Sequence, residues 1–290
     1  MNTKVIVGIH GLNNKPAPDV LRNWWTIAMA EGLSRNCEGQ RADVDFELAY
    51  WADLMYSAPV PIAEAAEPYV AAGGGGPLPR AGISIRSIAE TRIKEGVGKV
   101  LEKVFGAKVA EDVVRDAVET RMPDLHRYNH HRAARDAIRK RLRDALRAAH
   151  ARSAQIMLIA HSMGSIVAYD VLRAANRTLP GLRIAHFVTL GSPLGLTGVK
   201  EIVAAPRRVP ECVARWSNFA DPRDYAARWD TRLSNDYRAS RAGVTVSDHL
   251  VINGYLSPSG KSNPHKIYGY LRTPEVSELI AGFLSGPAVA

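Results

Sequence analysis

Residues 154 to 172, AQIMLIAHSMGSIVAYDVL, narrow the fold of this chain more than any other stretch. Ile156 to Ala160 is an unbroken apolar run of strand length, as in a strand buried on both faces. From Met163 onward, Ile166, Val167, Tyr169 and Leu172 recur at helical spacing. A buried strand that passes at once into a helix belongs to a mostly parallel central sheet with helices on both faces, so the expected class is α/β. Ser162 stands at the apex of the turn between the two. Ala160 and Gly164 flank it, small enough for strand and helix to close around a strained bend. Serine is a weak nucleophile in ordinary surroundings. On such a bend a base can reach its hydroxyl and a backbone N–H can face a developing oxyanion. An N-cap serine ahead of a helix would account for the hydroxyl but not for both small neighbours.

Two further stretches fit the same plan. TKVIVGIHGLNN at the N-terminus reads as a strand, Lys4 to Ile9, that ends in His10, Gly11 and Leu12. FVTLGSPL, Phe187 to Leu194, reads as the strand after the nucleophile helix, followed by a loop of Gly191, Ser192 and Pro193. With these pieces in this order the chain resembles the α/β-hydrolase superfamily, in particular its lipase and esterase branch. The turn reads A-x-S-x-G where the superfamily usually has G-x-S-x-G. The resemblance spans about residues 3 to 52 and 154 to 285. It implies an α/β-hydrolase fold and an oxyanion hole made by the N–H groups of Leu12 and Met163. It also implies a substrate site lined by His10, Gly11, His161 and Ser192, with no cofactor and no metal.

The superfamily orders its triad as nucleophile, acid, histidine, so both partners of Ser162 are expected beyond it. Cys212 to Ala220 reads as the next strand, and two aspartates follow it. Asp224 precedes a small apolar stretch, Tyr225-Ala226, as acids of the superfamily commonly do, so the resemblance favours it; Asp221, before Pro222, has the look of a turn-forming Asx residue. For the base, His265 lies on a loop shortly before the last amphipathic helix, Val276 to Leu284. His249, within the strand-like VSDHLVIN, pairs in sequence with Asp248 and is the other candidate.

At 290 residues and 46% hydrophobic content, the chain can bury one sizeable core and is expected to form a single domain. Residues 56 to 129 stand outside the resemblance. They carry Pro59, Pro61 and Pro68, the glycines 73 to 76, and an apolar pattern at mostly helical spacing that includes Ile85 to Phe105. This helical insertion before the nucleophile strand is expected to form a lid or cap. Only Cys37 and Cys212 are present, too few for a disulfide framework, no secretory leader is evident, and no apolar run reaches membrane-spanning length. A cytoplasmic setting is expected.

The formal net charge of +9 raises the question of a nucleic-acid partner. Much of the excess falls between Arg132 and Arg152, where eight Arg or Lys accompany two Asp. Ala134, Ile138, Leu142, Ala145 and Ala149 repeat there at helical spacing, so the basic residues form the solvated face of an amphipathic helix. Such a face also suits peripheral contact with an anionic membrane surface. No nucleic-acid motif or stacking pattern accompanies it. His126 and His130 make an i, i+4 pair without a third ligand in view and are read as surface histidines. The expected function is a serine hydrolase that cleaves a small-molecule acyl ester or thioester. Peptidase, amidase and acyltransferase chemistry use the same triad, and a non-catalytic binding protein is the alternative from a different class.

Overall fold

The computed structural model describes residues 4–37, 44–63, 65, 80, 123–152, 154–227 and 230–286. Most of the insertion, including the glycines 73 to 76 and Ile85 to Phe105, lies outside the described residues.

Among the described residues six strands form one sheet with every pair parallel: β1 (Lys4–Ile9), β2 (Phe46–Ala49), β3 (Gln155–His161), β4 (His186–Leu190), β5 (Trp216–Ala220) and β6 (Val246–Leu250). Their order across the sheet is β2-β1-β3-β4-β5-β6. Val5, Val7 and Ile9 of β1 and Ile156, Leu158 and Ala160 of β3 face one apolar layer, while Ile6, Met157 and Ile159 face the other. All are fully buried, which is why these strands read as unbroken apolar runs rather than as an alternation. The expected strand over Cys212 to Ala220 is shorter in the structure. Val213 turns back on Pro210 and makes only one isolated bridge, to Ile184, before β5 begins at Trp216.

Helices cover both faces. α1 (Pro18–Asn36) packs on one face with α7 (Ile267–Leu271) and α8 (Pro274–Ser285). On the other lie α2 (Pro123–His130), α3 (Arg132–Ala151), α4 (Met163–Arg173), and the short α5 (Ala175–Thr178) and α6 (Thr197–Ile202). α3 buries Ile138, Leu142, Leu146 and Ala149. Basic side chains on it, and Arg152 just beyond its end, meet carboxylates from distant segments: Arg141 with Asp53, Arg139 with Asp170, and Arg152 with Asp45 and Glu47. The apolar face of α8 starts at Pro274, two residues earlier than the sequence pattern suggests, because proline is well suited to a first helical turn. Among the described residues no helix is long and apolar enough to cross a membrane, and no group of three or more His, Cys, Asp or Glu could hold a metal ion.

The strand order fixes where a site can form. From β1 the chain goes to β2 on one side and returns to β3 on the other, so the connections diverge at the C-terminal ends of β1 and β3. In open α/β sheets such a switch point leaves a crevice for ligands. His10 and Gly11 follow β1, and Ser162 follows β3.

Candidate active site

Ser162 has φ +53° and ψ −131°, outside the regions an L-residue ordinarily occupies. Strain of this kind costs about 1–3 kcal/mol and persists only where the surroundings enforce it. Here Ser162 N–H is held by the Leu190 carbonyl at 3.1 Å, and Ser165 Oγ donates to the Ser162 carbonyl at 2.6 Å. Close packing explains the small neighbours. A Cβ on Gly164 would stand 2.6 Å from the carbonyl oxygens of Ile9 and His10, and one on Gly11 would stand 2.6 Å from Ser162 Cβ. The turn after β3 thus lies directly against the loop after β1.

The structure brings Ser162, His265 and Asp224 together. Ser162 Oγ is 3.0 Å from His265 Nε2. His265 Nδ1 lies 2.8 Å from Asp224 Oδ1 and 3.0 Å from Oδ2. Asp224 is fully buried, and its Oδ1 also accepts the Ala226 N–H at 2.8 Å. An imidazole in this position can take the hydroxyl proton through Nε2 while the carboxylate holds Nδ1–H. The loop bearing His265 is clamped by buried Asn253, whose Nδ2 donates to the carbonyls on either side, Pro264 at 2.7 Å and Lys266 at 2.8 Å. Gly191 completes the packing. Its φ is +54°, and a Cβ there would meet Asp224 Oδ2 at 2.5 Å.

The competing residues sit elsewhere. Asp221 Oδ1 accepts the Arg223 N–H at 2.8 Å, an Asx turn, and Oδ2 takes the Arg223 guanidinium at 2.6 Å and the Asn253 N–H at 2.7 Å. Asp248 accepts from Leu233 N–H, Ser234 N–H and Asn218 Nδ2. His249 stacks on Phe219 with ring centroids 4.7 Å apart.

Of the groups expected around the substrate, three side chains, His10, His161 and Ser192, make internal hydrogen bonds, and two amides, Leu12 and Met163, remain open among the described residues. His10 is buried, and its Nδ1–H donates to the Gly11 carbonyl at 2.9 Å while Nε2 accepts the Trp51 N–H at 3.0 Å. Trp51 Nε1–H closes the bracket on the His10 carbonyl at 3.0 Å. Burial and the nearby Lys15 ammonium lower the His10 pKa to about 3, so the ring stays neutral. Because Gly11 C=O and Leu12 N–H belong to one peptide unit, His10 aims the Leu12 N–H. His161 donates from Nε2 to the His265 carbonyl at 2.7 Å, and burial depresses its pKa strongly. The Ser192 hydroxyl meets Ser165 Oγ at 2.7 Å and accepts the Leu194 N–H at 3.2 Å, which caps the turn after β4. Leu12 and Met163 N–H, by contrast, donate to no other group among the described residues.

Sequence reasoning missed the supports of this loop. Asp124, at the start of α2, accepts the Asn13 N–H at 2.7 Å and the Tyr56 hydroxyl at 2.8 Å. Lys15 Nζ donates to the Leu12 carbonyl, and burial lowers its pKa to about 8. Tyr225, half-exposed, lays its ring 4.5 Å from that of His265. Asp124 and Tyr225 find their partners far away in sequence, and the short reach of Lys15 back to Leu12 follows no recognised pattern, so none of the three is marked locally. Comparison of the chain with models of known protein families and with curated proteins finds no match.

Proposed function

We propose that this chain is a serine hydrolase of the α/β-hydrolase type that cleaves acyl esters or thioesters. One observation carries the reading: a strained Ser162 whose hydroxyl lies 3.0 Å from an imidazole that a buried carboxylate holds from behind. Backbone strain of this kind gathers at functional sites, and a serine on a sharp turn with its hydroxyl against a base is the arrangement nucleophilic catalysis uses.

In this account Ser162 Oγ attacks the acyl carbonyl as His265 Nε2 takes its proton. Asp224 stabilises the imidazolium, and Leu12 and Met163 N–H stabilise the tetrahedral oxyanion. His265 then returns the proton to the leaving alcohol or thiol. Water, activated by the same imidazole, releases the acid and restores Ser162.

Residues 56 to 129 act as a lid over the acyl pocket in this reading. Support comes from both ends of the segment, which meet the loop after β1. Val60 N–H donates to the Lys15 carbonyl, Asn14 Nδ2 donates to the Ala58 carbonyl, and Asp124 holds Asn13.

The test is hydrolysis of a panel of acyl esters and thioesters by the purified protein and by Ser162→Ala. The wild type is expected to turn over at least one short ester, with a loss of several orders of magnitude in the variant. Equal activity in the two proteins would end the assignment.

A further inference from the structure

Tyr270 forms a fourth link behind the three residues just described. It lies in α7, five residues after His265, and is fully buried. Its hydroxyl is 2.6 Å from Asp224 Oδ2, and the Asp221 N–H points at the phenol oxygen from 3.0 Å. An amide can only donate, so the phenol oxygen accepts from Asp221 and its own proton is directed at Asp224. Burial and the adjacent Asp224 carboxylate raise the phenol's pKa far above its ordinary value, which keeps that proton in place.

We propose that Tyr270 is a positioning residue of the triad: its hydroxyl fixes the rotation of the Asp224 carboxylate and moderates its basicity toward His265. The inference rests on the serine-hydrolase reading. Asp224 has two oxygens and receives three donors, Ala226 N–H on Oδ1, Tyr270 O–H on Oδ2, and His265 Nδ1–H across both. With the first two in place the carboxylate plane cannot turn, so the imidazole has one orientation that also reaches Ser162. The Tyr270 ring is itself fixed. Thr273 Oγ1 donates to its carbonyl at 2.9 Å, and its Cε2 would lie 3.0 Å from a Cβ on Gly191. The close fit of Gly191 against both Asp224 and Tyr270 is what a rigid pair needs.

The sign of the electrostatic effect follows from charge. A donor on a carboxylate withdraws negative charge from it, which weakens its attraction for an imidazolium. Without the Tyr270 proton, Asp224 holds the imidazolium more tightly and the acidic limb of kcat/KM moves to higher pH. Other groups around the trio stay constant in this comparison. Asp221 is paired with Arg223, the His161 ring lies 4.9 Å and the Tyr225 ring 4.5 Å from that of His265, and Lys266 follows His265 in the chain.

The experiment is a kcat/KM pH profile on a short activated ester for wild type, Tyr270→Phe, and protein with 3-fluorotyrosine at 270. Active-site concentration is set by fluorophosphonate titration, so misfolded protein does not count. Tyr270→Phe should lower kcat/KM about ten- to a hundredfold, as expected for one lost hydrogen bond to a charged group, and move the acidic limb up by about half a unit or more. The fluorinated phenol is a stronger donor of nearly the same shape and should move the limb down, which carries the test if the Phe variant fails to fold. A limb that stays put in the folded variants overturns the proposal, since a merely structural tyrosine would change yield or stability alone. A wild type that neither labels nor hydrolyses overturns the hydrolase reading and the inference with it.

Discussion

Asp221 and Asp224 lie on one loop, three residues apart, and their partners give them different work. Asp224 holds the imidazole; Asp221 closes its own turn on Arg223 and fastens the Asn253 N–H, and Asn253 in turn clamps the loop of His265. Asp224→Asn is therefore expected to lower kcat by about a thousandfold or more with the fold intact, because an amide can present the wrong group to Nδ1. Asp221→Asn should act mainly on stability, with a lower urea midpoint and a smaller change in kcat. Measuring both quantities for both variants decides the matter, and the reverse order would give Asp221 the role of acid. The turn residue was legible in the sequence because Pro222 follows it. The roles of His10 and Tyr270 were not. His10 is held by Trp51, 41 positions away, and Tyr270 reaches Asp224 across 46, so neither contact leaves a local pattern.

At the scale of elements, the parallel strands were legible because double-sided burial demands continuous apolar runs, and β1, β3 and β4 supplied them. The turn after β3 was legible for a related reason, since close approach to β1 tolerates nothing larger than hydrogen at Gly164. β5 was overextended from sequence because Cys212 and Val213 are as apolar as a strand but belong to a turn, which spacing alone does not reveal. If residues 56 to 129 cover the acyl pocket, shortening the segment within 66 to 120 should change chain-length preference more than reactivity toward a small ester. A long acyl chain needs apolar surface to bury against, at about 0.8 kcal/mol per CH₂, and an acetyl group does not. Octanoyl and acetyl esters assayed side by side on a folded, shortened variant give the answer. The octanoyl to acetyl rate ratio should fall; an unchanged ratio would place the insertion away from the pocket.

For the whole molecule, buried histidines set the response to acid. Burial lowers the pKa of His10 to about 3 and of His186 to about 4, and that of His161 well below its ordinary value. Each is neutral when folded but takes a proton near pH 6.5 once unfolded. Their contribution is complete above that pH and is lost as pH falls toward the folded values, by up to about 1.4 kcal/mol per pH unit for each ring. Urea midpoints should therefore drop between pH 7 and pH 5; a flat or rising midpoint would contradict these assignments. The basic character of the chain was legible in composition, but its pairing was not. Arg139, Arg141 and Arg152 on or beside α3 find their carboxylates on α4, after β2 and around β2, which only the tertiary fold brings near. On the proposed reading, the fold activates a single serine. Mass spectrometry of the peptide adduct after treatment with a fluorophosphonate tests it most directly. One adduct is expected, on Ser162, formed at a rate that collapses in His265→Ala. An adduct on another residue, or undiminished labelling of Ser162 without His265, would contradict it.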